Sequence, residues 1–305
     1  MFVLAHLSDP HLASMPRPRL LELAGKRGLG LVNWHLRRRH EHRLDVLEPL
    51  VLDLLAQAPD HIAVTGDLVN VALADEFAGG RAFLASLGPP ERVSFVPGNH
   101  DAYVRATVTH AYDHWREYMS GDATQAPEGE PASFPYVRRR GPLAIVGVST
   151  AAPSGPFMAT GRIGPDQLRR LDHKLAALSP EKLFKVVLLH HPPVSLSSDR
   201  LKRLIDAAAF RAVLARHQVD LVLHGHIHIN TLAWLPGPVQ PVPSVSVPSA
   251  SATARGEEPA SYNLFRIDQA DGEWRCEMAV RGFGRAGGGI AELRRRRLAP
   301  ADTVR

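Results

Sequence analysis

The chain has a single cysteine, Cys276, in 305 residues. That excludes an internal disulfide and any metal cage built from several thiolates. Aromatic residues make up only 6%, with little interleaving among the basic runs, and no recognised nucleic-acid module is present. Nothing approaches the long uncharged apolar run that a membrane-spanning helix requires. The first residues, Met1 to Asp9, form an apolar run that turns polar after a few positions. They lack a basic leader and a small-residue cleavage site, so a first strand is expected rather than a signal peptide, with a cytoplasmic location as the default. There is no internal repeat and no long low-complexity linker.

What is present is an ordinary globular composition, 45% hydrophobic, with a net charge of +5 from 36 basic and 31 acidic side chains. The excess is concentrated in Arg37-Arg38-Arg39 and Arg294-Arg295-Arg296-Arg297. A basic balance suits nucleic acid, anionic headgroups or a phosphorylated substrate. The C-terminal run is read as a solvated basic segment. Short apolar runs at 3–8, 61–65, 93–97, 143–149, 184–190 and 219–224 have the character of buried strands. Helical spacing occupies 44–58, 75–87, 165–178 and 200–217. Strands alternating with helices predict an α/β protein. After His228 the pattern changes to Pro-punctuated strands, closing in an expected hairpin at 262–267 and 274–280. From Gly287 on, the Gly-rich then Arg-rich tail is expected to be loosely ordered.

The polar residues that follow these runs carry the chemistry. Ligands of open α/β sheets bind beyond the carboxyl ends of the strands. The successive runs end in Asp9-Pro10-His11, Gly66-Asp67, Gly98-Asn99-His100-Asp101, His190-His191 and His224-Gly225-His226-Ile227-His228. Most fragments alone are weak, since a Gly-Asp pair usually marks a turn and His-x-His often lies on an exposed face; Gly98-Asn99-His100-Asp101 is the stronger signal, being rare and having a Gly that allows close backbone approach. As an ordered series after successive strands they imply one site. Carboxylates and neutral imidazoles suit Mn, Fe or Zn. A carboxylate shared between two such ions keeps them roughly 3.5–4 Å apart, the spacing of two-metal hydrolases.

In this order the blocks resemble those of the calcineurin-like metallophosphoesterase superfamily, over residues 3 to about 230. The resemblance implies an α/β fold of four layers, two central mixed β-sheets flanked by helices. It implies that Asp9, His11 and His228 bind one metal ion, that Asn99, His190 and His226 bind a second, and that Asp67 bridges them. A hydroxide bridging the ions would attack phosphorus in line. His100 would stand beside the ions, steadying phosphate or protonating the leaving oxygen. Between the paired histidines, relatives show a ligand followed by one residue and then Pro, which His190 satisfies. His191 is expected beside the site or in the core, as is His224, and Asp101 and Asn70 beside the site or the substrate. A non-catalytic scaffold would be expected to have lost ligands or His100, and neither is lost.

The blocks further resemble the bacterial branch containing cyclic-nucleotide and glycerophosphodiester phosphodiesterases, which favours a phosphodiester substrate and is compatible with a homodimer. One departure is the long segment 12–43, with Trp34 and Arg37-Arg38-Arg39, read as a cap on a single domain spanning 1–285. Leu29, Val32 and Leu36 share one helical face there, whereas Leu31 and Trp34 do not. The cap either packs with its arginines in water or docks at an anionic membrane and grips a lipid tail. In the second case it resembles in character the caps of UDP-2,3-diacylglucosamine pyrophosphohydrolases, and a nucleotide- or lipid-linked substrate becomes the alternative.

Overall fold

A computed structural model describes residues 1–12, 15–16, 26–104, 113–122, 134–155, 157–194, 200–253, 258–284 and 288–299. Two six-stranded sheets face one another. The first runs β12 (Ile290–Arg297), β11 (Glu273–Phe283), β10 (Ser261–Ala270), β1 (Phe2–Leu7), β2 (His61–Val64) and β3 (Val93–Phe95). The second runs β4 (Tyr136–Arg140), β5 (Leu143–Gly147), β6 (Phe184–Leu188), β7 (Leu221–His224), β9 (Val242–Ser246) and β8 (Leu232–Leu235). In the first sheet β1, β2 and β3 are parallel, while β10 pairs antiparallel with β1. In the second, β5, β6, β7 and β9 are parallel, with antiparallel strands at both edges. The mixed two-sheet α/β sandwich expected from the sequence is the fold found.

Strand periodicity explains the layering, because alternate residues point to opposite faces. In β5, Leu143 and Ile145 join the core between the sheets, while Ala144 and Val146 join a second core. In β7, Leu221 and Leu223 face inward and Val222 faces outward. The outer core is closed by α5 (Pro165–Leu178) through Leu171, Leu175 and Leu178, and by α6 (Ala207–Leu214) through Phe210 and Leu214. On the other sheet lie α3 (Leu44–Ala56), which buries Leu47, Leu50 and Leu54, and α4 (Ala74–Leu87), which buries Phe77, Leu84 and Leu87. The 26–41 stretch forms α1 (Lys26–Asn33), a π-helical turn at Trp34–Arg38 and the short α2 (Arg39–Glu41). No helix among the described residues is long and apolar enough to cross a membrane.

Three elements differ from the sequence reading. The helix expected over 200–217 is broken into a 3-10 turn (Arg200–Lys202) and α6. The chain between them bridges to Gly161 through Leu204, and the Asp206 carboxylate accepts the Ile163 and Gly164 N–H groups. The tail expected to be loosely ordered instead forms the edge strand β12 at residues 290–297. Its arginines stay exposed, and Arg295 pairs with Glu292 and Glu277; a charged edge resists further strand addition. Strand β4, Tyr-Val-Arg-Arg-Arg, was not expected as a strand. Its buried Arg138 donates to the carbonyls of Pro90, Val93, Glu117 and Ser120, so its charge is spread over backbone acceptors.

Candidate metal centre

The carboxyl ends of β1, β2, β3, β6 and β7 open onto one edge where the two sheets meet. The chain leaves each strand by a sharp turn. Asp9 (φ 53°), His11 (φ 38°), Asp67 (φ 55°), His226 (φ 74°) and His228 (φ 54°) all have left-handed backbone. Such strain concentrates at functional sites, at about 1–3 kcal/mol for each such residue. The turns also need close backbone approach. A Cβ on Gly98 would collide with the Asp67 carboxylate and amide, and one on Gly225 with the Asp9 carboxylate and Ser8 hydroxyl.

Two groups of donors converge. In one, His228 Nε2 lies 3.2 Å from Asp9 Oδ1 and 3.4 Å from His11 Nε2. In the other, His190 Nε2 lies 3.2 Å from Asn99 Oδ1 and 3.3 Å from His226 Nδ1. Asp67 Oδ2 stands between them, 3.8 Å from His11 Nε2 and 3.4 Å from His190 Nε2. Donors about 2.0–2.2 Å from one ion are separated by about 2.9–3.6 Å over the usual coordination angles. These spacings fit one ion in each group, with Asp9 Oδ1 to His11 Nε2 slightly wider at 3.8 Å, and the residues present fit a two-ion centre.

The hydrogen bonds fix which ring nitrogen faces inward. His190 Nδ1–H donates to the Thr65 carbonyl at 2.6 Å, which leaves Nε2 as the lone-pair nitrogen. His226 Nε2–H donates to the Lys202 carbonyl at 2.9 Å, leaving Nδ1 inward. This is the arrangement metal-binding histidines adopt, with the far N–H held by a carbonyl. The Asp9 carboxylate accepts the His226 N–H at 3.0 Å, and Asp67 Oδ1 accepts the His100 N–H at 2.8 Å.

The electrostatics favour added positive charge. Burial opposes ionisation of Asp9 and Asp67, yet neighbouring histidines hold both below the usual carboxylate range. Burial lowers His226 to about 3 and His11 well below its ordinary value. His190 is the exception: against its burial, Asp67 and Asp9 push it up to about 10. The two carboxylates thus draw a proton to the place where a metal cation would replace it, and metal binding displaces such protons.

The remaining expected residues divide. His100 lies at the edge of the cluster, its Nδ1–H held by the Asn70 carbonyl at 2.5 Å. Among the described residues no hydrogen bond engages its Nε2. The Asn70 side chain turns away and donates to the Leu12 carbonyl. Asp101 does not face the cluster. Its Oδ2 accepts the Asp67 and Gly98 N–H groups, each at 2.8 Å, and its Oδ1 those of Leu68 (2.9 Å) and Val69 (3.3 Å). It clamps the loop bearing Asp67 to the loop bearing Asn99. His191 is 4.3 Å from the His226 ring, but both its nitrogens are used: Nδ1 accepts from Thr150 Oγ1 and Nε2–H donates to the Ala159 carbonyl. His224 is buried within β7. In the segment 12–43, Trp34 is partly buried and Arg39 is exposed against His40, while the Arg37 side chain lies outside the described residues. Arg38 turns inward, with Nη1 3.2 Å from His100 Nδ1.

Sequence reasoning missed His42. It is buried, and its ring is 4.5 Å from that of His11 and 5.5 Å from that of His228. With these two it could surround an ion. Ser249 Oγ donates to the Asp9 carbonyl, so it accepts from His42 Nδ1 at 3.1 Å. In Arg-Arg-Arg-His-Glu-His-Arg the residue looks like part of a solvated charge run. Only its place immediately before the helix that returns the chain to the sheet hints otherwise.

The calcineurin-like phosphoesterase family profile matches residues 2–230. Among solved structures, a dimetal phosphatase from Danio rerio superposes with a TM-score of 0.62 at 14% identity, covering 96% of this chain and 98% of that one. The purple acid phosphatase PPD1 from yellow lupin seeds gives 0.57 at 14% identity, covering 95% of this chain and 52% of that one. A 5'-nucleotidase precursor from Thermus thermophilus gives 0.51 at 16% identity, covering 91% and 54%. At these identities the likeness is one of fold. No curated protein sequence matches the chain significantly.

Proposed function

Because the chain belongs to the calcineurin-like phosphoesterase family of metal-dependent phosphoester hydrolases, we propose that it is a phosphodiesterase with a dinuclear centre. Asp9, His11 and His228 hold one ion, and Asn99, His190 and His226 the other. The observation that carries this assignment is the position of Asp67 Oδ2, within reach of both His11 and His190. A mixed carboxylate, amide and imidazole set suits Mn, Fe or Zn. When bound, the ions supply an activated water and neutralise phosphoryl oxygens.

The protein's own residues do the rest. Asp101 and the tight glycine approaches preset the donors before any ion arrives, so little reorganisation is needed at the moment of reaction. His100 is neutral in the free site, lowered to about 3 by burial and by Arg38. An anionic substrate offsets Arg38 and raises the ring's affinity for a proton. The Asn70 carbonyl then holds Nδ1–H, while Nε2 takes up a proton from water and passes it to the leaving oxygen. An alkyl ester needs that proton because its leaving group is an alkoxide.

A second reading, hydrolysis of a lipid-linked diphosphate at an anionic membrane, draws support from one feature. Leu29, Val32 and Leu36 are 49%, 56% and 72% exposed in the 26–38 stretch. Exposed apolar side chains beside arginines suit the apolar boundary of an anionic bilayer. The test is a substrate panel with Mn added: bis-p-nitrophenyl phosphate, cyclic AMP, glycerophosphodiesters, p-nitrophenyl phosphate and UDP-diacylglucosamine. Diesters are expected to turn over fastest; monoester turnover above every diester overturns the phosphodiesterase reading. Selective loss of the lipid substrate in Leu29→Glu/Leu36→Glu would establish the second.

A further inference from the structure

We infer that Arg38 is a phosphate-binding residue, a guanidinium fork delivered by a fastened lid to grip the phosphoryl oxygens of the ester held beside His100. This rests on the phosphoester reading of the site and goes beyond it, since the segment carrying Arg38 lies between the metal-ligand blocks and belongs to none of them.

The lid is tied down on both sides of Arg38. Lys26 Nζ donates to the Ser154 carbonyl (3.2 Å), the Ser154 hydroxyl (3.1 Å) and the Met158 carbonyl (3.3 Å). Arg27 donates to the carbonyls of Val71 (3.3 Å) and Ala72 (2.6 Å), on the loop that leaves Asp67. At the far end the Arg43 N–H donates to the Ser251 carbonyl at 3.0 Å, the Thr253 N–H to the Glu41 carbonyl at 2.8 Å, and His42 to Ser249. Lys26 and Arg27 spend their charge on backbone carbonyls. Arg38 does not.

Arg38 ends the π-helical turn Trp34–Arg38, a local widening of the helix that recurs at functional sites. The turn sends its guanidinium toward His100 rather than into water. The nearest partner there is His100 Nδ1, at 3.2 Å. That nitrogen's proton is already committed to the Asn70 carbonyl, so it has no lone pair to offer. Among the described residues no carboxylate pairs with Arg38. Its charge is attracted through space by Asp67 and Asp9, and less by Glu41, and the two stronger partners are the ones that ions would neutralise. A largely buried, unpaired guanidinium is costly. Once cations fill the centre, an oxyanion between them and Arg38 is what satisfies it. Arginine presents planar paired donors that match phosphate oxygens two at a time.

The test uses the full chain loaded with Mn, and inorganic phosphate as the probe, titrated calorimetrically. In Arg38→Ala the phosphate dissociation constant is expected to rise about 10–100-fold, the scale of lost charge-assisted hydrogen bonds. Two Mn per chain should remain, and added guanidinium should restore part of the turnover of a chromogenic diester. Arg43→Ala, whose exposed side chain pairs with Asp45 alone among the described residues, should match the wild type. If Arg38→Ala fails to fold, Arg38→Lys carries the same test with an expected loss of about tenfold. Unchanged phosphate affinity overturns the inference, and so does loss of Mn from the variant, since Arg38 would then support the site rather than the substrate. Arg38-dependent phosphate binding without turnover of any diester would leave this inference standing and sink the phosphodiesterase reading.

Discussion

Replacing Asp101 by Asn removes one acceptor oxygen and puts an N–H2 donor in its place. The wild-type carboxylate accepts four backbone N–H groups, two on each oxygen. Whichever way the new amide is turned, two of those donors face another donor and lose their partner. Each hydrogen bond to a charged acceptor contributes about 1.5–3 kcal/mol, so the gross loss is about 3–6 kcal/mol. Part of it is offset, because burial and the neighbouring Asp67 push Asp101 up to about 7 and the variant no longer buries that charge. A net destabilisation of about 3 kcal/mol follows, near the lower end of that range. Urea unfolding followed by fluorescence of the buried Trp115 measures it, with a midpoint shift of about 1 M for a slope of about 3 kcal/mol/M. The Asp67 loop is also released from the Asn99 loop, so metal affinity should fall even at urea concentrations where both proteins are folded. A midpoint within about 0.3 M of wild type together with unchanged metal affinity would refute the idea that Asp101 is the clamp.

Two further outcomes are expected. Gly225→Ala places a methyl group against Ser8 Oγ and the Asp9 carboxylate, and metal analysis should show occupancy falling from two ions toward one; full occupancy at wild-type affinity would contradict the close-approach argument. Asp53 on α3 accepts both Arg281 Nε (2.9 Å) and Nη2 (2.8 Å), and the Tyr262 hydroxyl. The Arg281 hydrogen bonds hold its pKa below the ordinary value despite partial burial. A depressed carboxylate contributes stability above its unfolded pKa of about 4 and loses it as pH falls through the native value. Asp53→Asn should therefore cost about 1 kcal/mol at neutral pH and progressively less on acidification, and a gap that stays constant down to about pH 2 would rule this linkage out.

The donors were legible because each follows an apolar strand, and strand period and strand end are written locally in the chain. The preference for His190 over His191 rests on the family resemblance, which places a Pro two residues after the ligand. The hydrogen bonds distinguish the two rings: Thr65 turns that of His190 toward the centre, whereas Thr150 and Ala159 engage both nitrogens of His191. What stayed hidden depends on distant partners. Arg38 and His42 sit in a charge run that looks solvated until Ser249, Ser251 and His100 are brought over it. The tail strand β12 was unreadable for a related reason. Four consecutive arginines show no alternation of polar and apolar residues, and only pairing with β11 makes them a strand.

The left-handed turns at five of the proposed ligands restrict how this centre could be altered. Among residues with a side chain, Asn, Asp and His adopt that conformation most readily. Divalent first-row ions draw their oxygen and nitrogen donors from the same group. Backbone and metal therefore select from one short alphabet, and an exchange that suits the ion alone, such as Asp9→Glu, would strain the turn as well as lengthen the reach. At Asp9, His11, Asp67, His226 and His228 the repertoire of viable replacements is set before any ion binds.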